Sequence, residues 1–161
     1  MFLTFVFSMV EVILNDQTKT TTMDTSFLTH INWLAVLVAA IAYFALGALW
    51  YTVLFGKQWL RFQKIIPNDE EAKKGAGIIM LGSFILMFIA TAGLAILIDR
   101  LQLHQVLSGI KIGLLTGLFF SMTAISTSYI YVKKPLGLHF IDGMYHVAGQ
   151  IIAAVILCIW K

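Results

Sequence analysis

The segment Ile78–Ile98, IIMLGSFILMFIATAGLAILI, contains no charged residue and is long enough to cross a bilayer, whose hydrocarbon core takes about 20 helical residues. Three more apolar segments lie on either side of it, at Ile31–Phe55, Val106–Tyr131 and Leu138–Trp160. The apolar residues of each segment follow one another without the alternation of apolar and polar residues that marks the strands of a membrane β-barrel, which excludes a barrel. The backbone N–H and C=O groups must therefore form their hydrogen bonds within helices. The sequence therefore predicts an all-α fold, an integral membrane bundle of four transmembrane helices.

The composition agrees with a protein that is surrounded by lipid. Of its 161 residues, 60% are hydrophobic and 12% are charged, whereas soluble domains are nearer 45–50% apolar and about 25% charged. The net charge of +3 comes from basic residues next to the apolar segments, where membrane topology explains them. We therefore expect the lipid bilayer as the partner of this chain, and no nucleic acid.

The first residues of the chain differ from the rest. Met1–Val10 is apolar, but no Lys or Arg precedes it and a polar stretch follows it, which is unlike a signal peptide. One interpretation is that residues 1–22 are an extension and that translation starts at Met23, with residues 23–161 forming the transmembrane domain. The other is that translation starts at Met1.

The basic residues also predict an orientation. Loops 56–77 and 132–137 together carry seven of them: Lys57, Arg61, Lys64, Lys73, Lys74, Lys133 and Lys134. Because short cytoplasmic loops of membrane proteins are enriched in Lys and Arg, we expect both loops in the cytoplasm and both termini outside.

The third span carries a stripe of small residues, Gly109, Gly113, Gly117 and Ser121, at four-residue steps; we call these four the glycine stripe. Small residues at this spacing let the backbone of another helix approach closely. The sequence therefore predicts a helix-packing face and leaves two partners open. One is a helix of the same bundle, and the other is a second copy in a homo-oligomer.

The fourth span contains Asp142, the one acidic residue inside the four apolar segments. It lies about 10 Å along the helix from Pro135. His139 and His146 share its face because they are three and four residues away. If the span folds back on span three, Asp142 comes level with Ser126 and Thr127. Ionisable residues at such depth are costly and are functional candidates.

Three interpretations of this polar patch remain open. Asp142 and the histidines can fix the helix register through hydrogen bonds to span three. They can form a proton or substrate relay, since carboxylates and imidazoles exchange protons. They can also bind a metal ion, although His139 and His146 are about 10 Å apart and cannot share one ion. Further ligands would have to come from Asp69, Glu70 and Glu71 or from a second subunit, so we expect no metal and no cofactor.

Two blocks of sequence point to a known family. The first comprises Ile31–Val36 (INWLAV), Gly47–Tyr51 (GALWY), Leu54–Lys57 (LFGK) and Trp59; the second comprises Lys134–Leu136 (KPL), Ile141–Gly143 (IDG) and Tyr145-His146. From about Asn32 to Trp160 the chain resembles a bacterial membrane family catalogued as domain of unknown function 1761. The resemblance implies a small four-helix protein of the bacterial cytoplasmic membrane, without an assigned activity. It makes its motif residues the best candidates for a shared site: Trp50, Tyr51, Asp142, Tyr145 and His146.

The sequence contains no catalytic signature such as G-x-S-x-G, H-E-x-x-H or a P-loop, so an enzyme is the less favoured class. Our first hypothesis is a binding or accessory membrane protein with a polar patch on spans three and four. The alternative is a small oligomeric transporter or proton-coupled permease that uses Asp142 and His146.

Overall fold

The computed structural model describes residues 30–64 and 75–160. The chain divides into two units, Met1–His30 and Ile31–Lys161, and every element below belongs to the second unit. The predictions about residues 1–22 and the start at Met23 concern residues outside the described part. The same holds for residues 65–74, which include the three acidic residues considered as metal ligands.

The second unit contains five helices in its described residues: α1 (Trp33–Leu54), α2 (Gly56–Gln63), α3 (Ala76–Arg100), α4 (Val106–Tyr131) and α5 (Leu136–Ile159). All except α2 are long and apolar enough to cross a membrane. The described ranges contain no strand. The predicted all-α membrane bundle with four spanning helices is therefore confirmed, and α2 is an additional short helix inside the predicted first loop.

The ends of the helices follow from local sequence. The Asn32 side chain caps α1, since its Oδ1 accepts a hydrogen bond from the Ala35 amide at 3.0 Å. Lys64 ends α2 in the left-handed conformation with φ 57°. Gly75 precedes α3 with φ 86°, a value that glycine adopts without steric cost. Pro135, in extended conformation, separates α4 from α5.

The central helix of the bundle is α5, which packs against α1, α3 and α4 and also contacts α2. In its most apolar window 56% of the residues are buried, compared with 17–33% in the other three spans. Large apolar side chains such as Ile78, Phe119 and Val53 are exposed on the outside of the bundle. These outer faces are the surface that lipid would cover, because lipid tails are as apolar as the side chains.

The glycine stripe of α4 lies against α5 of the same chain. A Cβ added at Gly113 would lie 2.5 Å from the Cα of Ile151, and one added at Gly117 would lie 2.6 Å from the Cα of Val147. The glycines therefore allow backbone-to-backbone contact between two helices of one bundle. Of the two partners that the sequence left open, the structure shows α5 of the same chain against the three glycines.

Two spanning helices contain π-helical segments, at Trp50–Leu54 in α1 and at Gly117–Met122 in α4. In the first, the Phe55 amide donates to the Trp50 carbonyl at 2.8 Å, a bond over five residues instead of four. Such a turn changes the angular position of the side chains around the helix axis and is frequent at functional sites. Here it coincides with the aromatic pair of the first sequence block.

Candidate functional site

The Asp142 carboxylate joins three helices. Its Oδ1 accepts a hydrogen bond from the Tyr51 hydroxyl of α1 at 2.8 Å, and its Oδ2 accepts one from the Tyr129 hydroxyl of α4 at 2.6 Å. Asp142 itself is only 6% exposed. Both distances lie in the usual range for O–H···O hydrogen bonds. The first and third spans are therefore both held to α5 through one acidic side chain.

The partners of Asp142 differ from those expected. Ser126 is half-buried, and the Thr127 hydroxyl donates to the Thr123 carbonyl of its own helix at 2.8 Å. Short hydroxyl side chains in helices often bond back to the preceding turn in this way. The longer side chain of Tyr129 spans the distance to α5 instead, so Ser126 and Thr127 are not the partners of the carboxylate.

The aromatic pair at the end of α1 also meets α5. The Trp50 indole Nε1 donates to the Ile141 carbonyl at 3.0 Å, while the neighbouring Tyr51 binds Asp142. The Tyr145 ring lies 5.2 Å from the Tyr51 ring. The His146 ring lies 4.8 Å from the Tyr145 ring. All five family-motif candidates are thus brought together where α1 and α5 cross.

The two histidines lie on either side of Asp142, and each contacts a tyrosine. His146 Nδ1 is hydrogen-bonded to the Tyr43 hydroxyl at 2.6 Å. His139 is buried, and its ring packs edge-on against Tyr129 with 5.5 Å between ring centroids. Among the described residues, no three His, Cys, Asp or Glu side chains come together in a way that could hold a metal ion.

A cavity of about 430 Å³ lies beside the carboxylate, between α1, α2, α4 and α5; we call it the Asp142 cavity. Its walls are Tyr51, Trp59, Gln63, Ala124, Ile125, Ser128, Tyr129, Asp142 and His146. It lies toward the end of the bundle where α1 ends and α5 begins, and α2 forms one side. Its volume falls within the range of about 300–1,000 Å³ that is usual for small-molecule sites.

Several site residues were not identified as such from the sequence. Trp59 and Tyr129 lie near the ends of apolar segments, where aromatic residues are common simply as anchors at the membrane interface, so their part in the cavity was not visible. Tyr43 lies in the middle of α1. Its hydroxyl, placed far from both interfaces, is the signal that could have identified it.

A row of polar side chains runs along one face of α5: Asp142, His146 and Gln150, at four-residue steps. The row is about 12 Å long at 1.5 Å per residue. The Gln150 amide donates to the Ser121 hydroxyl of the glycine stripe. Both Gln150 and Ser121 border a second cavity, of about 320 Å³, between α3, α4 and α5. The polar row therefore contributes side chains to the walls of two separate cavities.

Comparison with known proteins gives one informative result. A family model described as protein of unknown function (DUF1761) matches residues 34–158, a range that includes all four spans and every residue of the Asp142 cavity. No curated protein matches the chain, and no solved structure matches it.

Proposed function

The chain belongs to the DUF1761 family of unknown function, and from its site we propose that it is a membrane binding protein that holds a small ligand in the Asp142 cavity. One observation carries the proposal: a buried carboxylate forms part of the wall of a cavity of small-molecule size. Pockets that combine apolar walls with a few convergent polar groups are the usual form of ligand sites.

The hydrogen bonds of Asp142 leave room for a ligand. A carboxylate has about four acceptor positions, and the two phenols use one on each oxygen. A contact that served only to hold helices together would not need a cavity beside it. The polar patch that the sequence placed on spans three and four is therefore extended, in this proposal, to α1 and α2.

The charge distribution supports a direction of entry. Five described basic residues lie at the end of the bundle where the Asp142 cavity is found: Lys57, Arg61, Lys64, Lys133 and Lys134. The positive-inside rule places this end in the cytoplasm. We therefore propose that the ligand enters from the cytoplasm of a bacterial cell and that both termini lie outside.

Cysteine labelling tests whether water reaches the cavity. The single natural cysteine, Cys158, is buried and is first replaced by alanine. A cysteine at Ser128 then reports on the cavity wall, and a cysteine at Phe140, 60% exposed on the outside of α5, is the lipid-facing control at similar depth.

With a polar maleimide on both sides of the vesicles, Ser128→Cys should react at least about tenfold faster than Phe140→Cys, because water is absent from the lipid core. If the two cysteines react equally slowly, no aqueous ligand can enter the cavity, and the proposed binding function is refuted.

The polar row favours a second function, a small transporter or proton-coupled permease that uses Asp142 and His146. Groups that can exchange protons, placed one turn apart along a helix, are a feature of proton relays in membranes. Asp142 and His146 line the first cavity, and Gln150, one turn further along α5, lines the second. Such a transporter could work as an oligomer, and since α5 fills the glycine stripe, the subunits would meet through other faces.

A further inference from the structure

We infer that the ligand of the Asp142 cavity is a small organic cation, an ammonium compound whose positive charge lies beside Asp142. This inference rests on the proposed binding function and adds the chemical class of the ligand. Two features of the cavity carry it: a buried carboxylate that pairs with no lysine or arginine among the described residues, and aromatic walls on several sides.

No Lys or Arg side chain within residues 30–64 and 75–160 forms an ion pair with Asp142, and His146, in the wall of the same cavity, is hydrogen-bonded to Tyr43. The hydrogen-bond partners of Asp142 in these ranges are two neutral phenols, Tyr51 and Tyr129. Lys134 reaches the same region, but its ammonium group donates to the Gln63 side-chain oxygen at 2.7 Å and does not pair with the carboxylate. A buried charge is costly unless it is paired, so a cationic ligand would supply the interaction that the described part of the protein lacks.

Aromatic side chains from three helices line the space next to this carboxylate: Tyr51 of α1, Trp59 of α2 and Tyr129 of α4. The Tyr51 and Trp59 rings lie 5.5 Å apart and are inclined by 66°, so they meet as two walls of a corner. Aromatic rings attract organic cations through their electron-rich faces, and Trp does so best. A carboxylate among such rings favours a ligand that is both positively charged and apolar at its surface.

Other ligand classes fit the cavity less well. An anion would be repelled by Asp142, and a neutral apolar molecule would leave the carboxylate unpaired. Calcium takes six to eight oxygen ligands, and magnesium requires an octahedral set with several waters. The described walls offer a single carboxylate. The other non-aromatic side-chain oxygens of the walls are already engaged, since the Gln63 oxygen accepts from Lys134 and the Ser128 hydroxyl donates to a backbone carbonyl. The aromatic walls would also contribute little to binding a strongly hydrated ion.

Choline and its uncharged analogue 3,3-dimethylbutan-1-ol test the inference, because they have nearly the same shape and differ in charge. Each is added to vesicles containing the Ser128→Cys variant in the Cys158→Ala background, and the rate of labelling by an uncharged maleimide is measured. Choline should slow the labelling at concentrations at least about tenfold lower than the alcohol. A cysteine at Lys57, which is exposed on α2 and outside the cavity lining, should be protected by neither.

Two variants test whether Asp142 and Trp59 cause the preference for choline over the uncharged alcohol. Asp142→Asn should abolish the preference for choline over the alcohol. Trp59→Leu alters α2, which is not a spanning helix, and so keeps the test usable if Asp142→Asn does not fold. It should raise the protecting concentration of choline about three- to tenfold, as expected for loss of one cation–π contact.

Equal protection by choline and the alcohol would overturn the cation inference and leave the binding function standing. Failure of choline to protect a Ser128→Cys variant that is readily labelled would overturn it in the same way. Absence of labelling at Ser128→Cys would instead refute the binding function itself, so the two failures are distinguishable.

Discussion

Replacing Gly113 by alanine would place a methyl group between the backbones of α4 and α5. The added Cβ would lie 2.5 Å from the Cα of Ile151, 2.7 Å from the Gln150 carbonyl oxygen and 2.8 Å from the Ile151 nitrogen. Non-bonded carbon atoms attract best at about 3.5–4.0 Å. Since all three neighbours are backbone atoms, no side-chain rotation relieves the contact, and the two helices must separate locally by about 1 Å.

The size of the effect follows from overpacking. Forcing an extra methyl group into a packed interface costs about 1–3 kcal/mol. Alanine inside a helix makes the folded protein about 0.5–1 kcal/mol more stable than glycine does. This gain in stability is smaller where the unfolded protein stays helical in detergent. We therefore expect Gly113→Ala to lower the free energy of unfolding by about 1–2 kcal/mol.

Reversible unfolding in mixed micelles with increasing dodecyl sulfate, followed by tryptophan fluorescence, measures this loss. The matched control is Gly82→Ala in α3, where an added Cβ has no atom within 4 Å and stability should not fall. In Gly109→Ala the nearest contact of the added Cβ would be 2.8 Å, so the free energy of unfolding of this variant should lie between those of Gly113→Ala and Gly82→Ala. Equal stability of Gly113→Ala and Gly82→Ala would refute the close packing of α4 on α5.

The remaining predictions concern the polar groups. Tyr129→Phe removes one hydrogen bond from Asp142 and should lower the free energy of unfolding in the same assay by about 1–2 kcal/mol, the size found for hydrogen bonds between membrane helices in model peptides. The control Tyr131→Phe, at a side chain that is 83% exposed, should change nothing, and equal stability of the two variants would contradict the assigned bond. If the second, transport function holds, Gln150→Leu interrupts the polar row at its bond to Ser121, and proton flux into proteoliposomes should fall to that of protein-free vesicles. An unchanged flux in that variant would exclude the row as the proton path.

Much of the fold could be predicted from composition and helical periodicity. The bounds of the four spans follow from the lengths of the apolar segments, since a bilayer admits only helices of that length. Small residues at four-residue steps likewise predict a packing face. The short helix α2 was not predicted, because it lies in a charged segment whose helical structure is not required by the membrane.

The sequence singled out Asp142 as a candidate site residue, because a carboxylate in an apolar segment stands out whatever the packing. It also determined which residues share its face, since the helix period fixes angles within one helix. Which side chains from other helices contact that face depends on the tertiary structure and could not be read from one helix alone. The rotation and separation of neighbouring helices depend on the close approach at Gly113 and on the π-helical turn at Trp50. The resulting positions of the helices bring Tyr51 and Tyr129, rather than Ser126 and Thr127, next to the Asp142 carboxylate.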